Sequence, residues 1–233
     1  MTLAEKPPET KALEINQRLC AAHGAPFPFF RDHDPLTELI GSLLSHRTKN
    51  KDSGRALVSL KKRFRSWDAV RTAELTEIET AISAATWPEQ KAPRIRAALQ
   101  FICDERGELS LGFLKSLEVD AARAWLERIP GVGPKTSAAT LLFSTLRMPA
   151  LPVDSHHHRV AQRLGLISEG VGPGKAHDIL RAQLPPDWDA QQLYDNHEAL
   201  MYHGQRVCHF RRPECSSCVV ADLCLWHRTT GNL

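Results

Sequence analysis

The sequence predicts an all-α fold, on three observations. Apolar residues recur at helical spacing: Leu36, Leu39, Ile40, Leu43 and Leu44 follow an i, i+3, i+4, i+7, i+8 stripe. Strand signals are nearly missing, since no alternating β-branched run exceeds four residues. Connections are short and punctuated by Pro or Gly, as at Trp87-Pro88, Ile129-Pro130-Gly131 and Gly172-Pro173-Gly174. The 233 residues suffice for one generous domain or two small ones. With 42% hydrophobic residues and 6% aromatics, the chain can close a core and is not disordered.

The stripe at 36–44 opens at Asp34-Pro35, where a proline suits the first helical turn. Further helices are expected over 53–63, 75–84, 91–105 and 111–117, then over 119–127, 135–146, 155–164, 175–183 and 189–203. Cys20 and Cys103 each sit in an apolar helical context and read as core thiols. Met1 to Ala12, with Glu5, Glu9 and Pro7-Pro8, resembles neither a signal nor a transit peptide. No apolar run is long enough to cross a membrane. A cytoplasmic protein is the expectation. The net charge of +3 says little, but its distribution says more. Lys61 to Arg65, Lys91 to Arg96 and Arg206 to Arg212 are basic stretches compatible with a phosphate-binding face, or with ordinary solvated helix surface.

Near the C-terminus, Cys208, Cys215, Cys218 and Cys224 are spaced C-x6-C-x2-C-x5-C. Four thiolates in so short a segment can wrap one metal centre. Disulfides are the competing reading, and nothing in the sequence points to an oxidising compartment. Structural zinc usually uses two short knuckles, and only Cys215–Cys218 forms one here. The longer arms favour a 4Fe–4S cluster over zinc.

The run from Trp125 to Ala138 holds a second pattern: a helix ending at Ile129, a turn with Gly131 and Gly133, and a new helix opened by Pro134. Such a turn points backbone N–H groups outward and can hold an anion such as a DNA phosphate. Lys135 falls in the first turn of that helix, where the dipole disfavours its ammonium form. Partial burial would lower its pKa further, and a neutral amine can form a Schiff base with a sugar carbon. Asp154 precedes Ser155-His156-His157-His158 and reads as a helix N-cap. Its carboxylate could also assist departure of a base. Three consecutive histidines point in different directions on a helix, which argues against a metal site there.

Hairpin, lysine, aspartate and cysteine loop occur in that order, and from about Leu13 to Arg228 the chain resembles the endonuclease III family of helix-hairpin-helix DNA glycosylases. The resemblance rests on Ile129 to Thr136, Val153 to His156 and the four cysteines at the family's spacing. It implies two domains: a six-helix barrel over 35–146 carrying the hairpin, and an iron–sulfur domain from 1–34 and 147–233. It implies duplex DNA in the cleft between them, with damaged bases or abasic sites as targets. The protein would work as a monomer, with no membrane partner. Lys135 takes the nucleophile's place and Asp154 its carboxylate partner's. The cluster on Cys208, Cys215, Cys218 and Cys224 would be structural, shaping the basic loop with Arg211 and Arg212 against phosphates. The implied reaction is removal of oxidised pyrimidines followed by β-elimination.

Two positions depart from the family. Arg47 stands where a glutamine is common, a residue that fills the gap left by the extruded base. Trp87 replaces the leucine of a glycine–leucine–tyrosine loop, a wedge between bases. With Gly131, Gly133, Arg211 and Arg212, these two complete the expected DNA contacts. A monofunctional adenine-glycosylase type is disfavoured, because such proteins lack a lysine at this place. The alternative is a DNA-binding iron–sulfur protein with altered or weak glycosylase activity.

Overall fold

Helix α2 (Pro35–Ser45) is buried from Pro35 to Leu44, its polar Thr37, Glu38 and Ser42 included, so burial extends beyond the apolar stripe that marks the helix in the sequence. Asp34 caps it, accepting from the Leu36 and Thr37 N–H groups at 3.0 Å. The computed structural model of the chain describes residues 8–30 and 32–230. Glu5 and Pro7 of the N-terminal reading lie outside the described residues. All regular structure among them is helical.

Around α2 are α3 (Asn50–Arg63), α4 (Trp67–Thr72), α5 (Leu75–Ala81), α6 (Pro88–Arg106), α7 (Val119–Glu127) and α8 (Pro134–Phe143). These fall in one compact unit, Arg31–Met148. Helix α8 is buried from Thr136 to Phe143 and packs on α2. Thr140 keeps its hydroxyl satisfied there by donating to Thr136 O at 2.8 Å.

The second unit joins Met1–Phe30 to Pro149–Leu233. It holds α1 (Pro8–His23), α9 (Ser155–Leu164), α10 (Pro173–Arg181), α11 (Ala190–Arg206) and α12 (Leu225–Thr230). Ile15 and Leu19 of α1 are buried, as are Leu193 and Leu200 of α11, and α11 packs on both α1 and α9. Lys11 of α1 donates to Leu164 O at 2.5 Å, satisfying a terminal carbonyl of α9.

Some expectations need correction. Residues 111–117 form a 3₁₀ turn, Gly112–Ser116, rather than an α-helix. Packing of Phe113 edge-on against Trp125 at 4.9 Å holds that segment. Helix α4 carries no apolar stripe, with Val70 alone buried, although Ser66 caps it through the Ala69 N–H at 3.1 Å. Helix α6 begins at Pro88, ahead of the expected start at 91, because proline's fixed φ suits a first helical position. Cys20 and Cys103 are half-buried, not core residues. Lys91, read as part of a basic surface stretch, is 4% exposed.

Candidate functional site

In the unit Arg31–Met148, the hairpin runs from α7 through Ile129–Gly133 into α8. The Ser137 hydroxyl meets the Glu127 carboxylate at 2.7 Å, tying the two helices together. Gly131 takes φ +83, a left-handed backbone that only glycine adopts without cost. Gly133 differs: its backbone is ordinary extended chain at φ −117, and a Cβ there would meet nothing within 4 Å. Among the described residues neither glycine's N–H donates to a backbone carbonyl. The turn therefore offers two open donors beside the start of a helix.

Lys135 is the second residue of α8 and half-buried. Next to it, Thr136 Oγ1 lies 2.9 Å from His46 Nε2. Burial first, then the cations of Lys135, Lys91 and Arg94, push the His46 pKa down to about 4. A neutral imidazole thus stands beside the lysine at physiological pH. His46, which the sequence reading passed over, is the residue just before Arg47.

Arg47 and Trp87 both adopt left-handed backbone, at φ 51 and 53. Trp87 is 44% exposed, so its ring is not part of the core. The Arg47 guanidinium carbon lies 5.9 Å from the Trp87 ring centroid, within cation–π reach.

The second unit holds Asp154 as the N-cap of α9, accepting from the His157 N–H at 2.8 Å. The segment before it is pinned by two histidines from other helices. The Val153 N–H donates to His177 Nε2 at 3.1 Å, and His197 Nδ1 meets Pro152 O at 2.8 Å. Burial favours the protonated Asp154, but His197 and the His157 N–H outweigh it and hold the carboxyl below its usual pKa. The three histidines diverge: His157 is buried, His158 bonds Val171 O at 2.9 Å, and His156 faces Arg159.

Helix α9 also grips the cysteine loop. Arg159 donates to Gly204 O at 2.7 Å and Cys208 O at 3.0 Å. One turn on, Arg163 donates to Cys208 Sγ at 3.2 Å, His209 O at 2.6 Å and Phe210 O at 2.9 Å. Cys208, Cys215, Cys218 and Cys224 line one cavity with Arg163 and His203, of about 360 Å³ including some open solvent. Among the described residues no three His, Cys, Asp or Glu side chains gather as a single metal ion requires. Burial raises the thiol pKa of Cys215 and Cys224 and takes Cys218 to about 11, and neighbouring thiols add to the effect in all three. Beyond Cys208, Phe210 is 75% exposed, and Arg211 and Arg212 are exposed.

No protein-family model matches the chain. Endonuclease III of Thermotoga maritima is 28% identical over 224 residues, 96% of this chain and 94% of that protein. Endonuclease III of Escherichia coli is 28% identical over 216 residues, covering 93% and 95%. A trapped endonuclease III–DNA covalent intermediate superimposes with a TM-score of 0.78 at 21% identity, covering 95% of this chain and 98% of that one. The chain is a relative of endonuclease III. The fold of this endonuclease III relative is also that of a thermostable thymine-DNA glycosylase, at a TM-score of 0.73. A protein of Arabidopsis thaliana named as a DNA glycosylase is 34% identical over 173 residues. That match takes in 74% of this endonuclease III relative but spans only 57% of the plant protein. No helix among the described residues is long and apolar enough to cross a membrane.

Proposed function

We propose that this endonuclease III relative is a bifunctional DNA glycosylase and abasic-site lyase acting on oxidised pyrimidines in duplex DNA. The observation that carries it is the half-buried Lys135 in the first turn of α8, directly behind a hairpin with open N–H donors. Phosphate on the hairpin would register the duplex. The damaged nucleotide must leave the stack, since its sugar carbon C1′ is otherwise out of reach. The Lys135 amine then forms a bond to C1′, and the glycosidic bond breaks with its electron pair leaving on the base. Opening of the sugar gives a Schiff base, and loss of a C2′ proton expels the 3′ phosphate. Asp154 takes the carboxylate's role, countering positive charge at the sugar as the base departs. Gly131, Gly133, Arg47, Trp87, Arg211 and Arg212 are proposed as DNA contacts.

Four thiols line one cavity, and thiolates are the donors that a 4Fe–4S cluster takes. Cys208, Cys215, Cys218 and Cys224 would hold a 4Fe–4S cluster, with the Arg163 guanidinium donating to the Cys208 sulfur. When bound, the cluster supplies a cross-link for the loop and takes no part in bond breaking. It would shape the loop from His209 to Arg212 against phosphates.

Borohydride trapping on abasic-site DNA tests the reading. The wild-type protein is expected to form a covalent adduct, and Lys135→Gln to lose both adduct and strand nicking while binding DNA within a few-fold. Binding rests on several cations and N–H groups, not on one amine. An adduct that survives in Lys135→Gln would assign the nucleophile elsewhere. Arg47 and Trp87 favour the second reading, a DNA binder with weak base removal. A panel of duplexes, each with one damaged base, separates the two.

A further inference from the structure

The peptide bond that leads toward Asp154 is held at both of its ends. Leu151, Pro152 and Val153 form a buried, irregular segment ahead of α9, and buried backbone groups outside regular structure need partners from elsewhere. Here both partners are histidines, and both serve one peptide unit. The Pro152 carbonyl accepts from His197 Nδ1 at 2.8 Å, and the Val153 N–H donates to His177 Nε2 at 3.1 Å. His177 stands on α10 and His197 on α11, at 2% and 3% exposure.

Those partners fix the ring protons. A carbonyl only accepts, so His197 carries hydrogen on Nδ1. An N–H only donates, so His177 Nε2 is bare, the ring is neutral, and its hydrogen is on Nδ1. That hydrogen goes to Pro173 O at 2.9 Å, which ties the ring to the first turn of its own helix. Proline fixes the φ of Pro152, so gripping the next peptide leaves Val153 and Asp154 few ways to turn. Capping alone is a local affair: Asp189 caps α11 in the same unit through Gln192, three residues on. Asp154 caps α9 as locally, through His157. The clamp drawn from two further helices thus adds to the cap a fixed approach of the chain. Against the effect of burial, His197 is also foremost among the groups that keep the Asp154 carboxyl ionised. We propose that His177 and His197 are positioning residues for Asp154, gripping the Pro152–Val153 peptide so that the carboxylate is aimed at the sugar whose base departs. This rests on the DNA-repair reading above and deepens it by naming what aims the carboxylate.

The test measures base release from a duplex holding one thymine glycol beside nicking of a preformed abasic site. His177→Leu and His197→Leu lose the two bonds, whereas His177→Gln keeps an acceptor near Nε2 and His197→Asn a donor near Nδ1. Each leucine variant should slow base release about tenfold or more, since small misplacements near reacting atoms cost at least that much. Each should still nick the preformed site at the wild-type rate, and the amide variants should recover most of the lost base release. Unchanged base release in a leucine variant, equal losses in the two assays, or amide variants no better than leucine would overturn the proposal. Should leucine unfold the chain, the wild-type protein decides. Nitrogen NMR of its histidines at neutral pH should show hydrogen on Nδ1 in both rings and a bare Nε2 at His177. A bare Nδ1 on either ring overturns the clamp. A wild type that releases no base sinks the DNA-repair reading instead, while its nitrogen spectra still decide the clamp.

Discussion

Asp154 shows how one side chain can carry a structural and a chemical role that are separable by experiment. Asparagine caps helices as well as aspartate does, so Asp154→Asn keeps the bond to the His157 N–H and removes only the charge. Melting should stay within about 1 kcal/mol of wild type. Base release should slow far more than nicking of a preformed abasic site, because a ready aldehyde has no leaving base to stabilise. Equal losses in the two assays would reduce Asp154 to a helix cap. His46 makes the second prediction at this scale. Its folded pKa of about 4 lies below its usual 6.5, so the unfolded chain takes up the proton first. The stability it contributes is complete above pH 6.5 and is lost as pH falls toward 4. Urea unfolding of wild type and His46→Leu at pH 7 and pH 5 measures it. Wild type should lose about 1 kcal/mol more than the variant between those values, allowing for its partial exposure. Identical pH slopes in the two proteins would refute the assignment.

At the scale of elements, α9 is the organising helix of its unit. Its N-cap is Asp154, and Arg159 and Arg163 hold the cysteine loop by its carbonyls. That grip depends on close approach to α11. A Cβ built on Gly204 would lie 2.9 Å from His156 Cβ and 3.2 Å from the Arg159 guanidinium. Gly204→Ala must therefore push the helices apart, at a cost of about 1–3 kcal/mol. The melting temperature should fall by several degrees, and the loop should exchange its amide hydrogens faster. A stabilised variant, as expected for an open helical glycine, would mean that α9 and α11 do not meet so closely.

At the scale of the whole molecule, the two units have separate cores, one around α2 and α8 and the other around α1, α9 and α11. The cysteine cavity belongs to the second alone. Cys208→Ser should lower iron content per chain and weaken binding to duplex DNA. Local opening follows cooperative units, so amide protection should drop across 207–228 while α2 and α8 stay protected. Full iron content in that variant would overturn the ligand assignment. One equivalent of zinc and no iron in the wild type would overturn the cluster.

Much of this was legible in the linear chain. The α2 stripe, the Asp34 and Asp154 caps, the hairpin and the short cysteine segment are all patterns of near neighbours, and near neighbours are what periodicity and capping encode. Trp87 could be singled out as unusual, but its exposure needed coordinates. Lys91 looked like one more surface cation, because nothing local says that its acceptors lie more than forty residues earlier. His177 and His197 gave no signal either, since the backbone groups they hold at Val153 and Pro152 are 24 and 45 residues away. The sequence by itself determined most of the helical segments, α4 and the 3₁₀ turn at Gly112–Ser116 excepted, and which residue types stand ready at their ends. Tertiary structure alone decided which charges are buried and spent on carbonyls and which face outward. Desolvation and hydrogen-bond satisfaction depend on what surrounds a group in space.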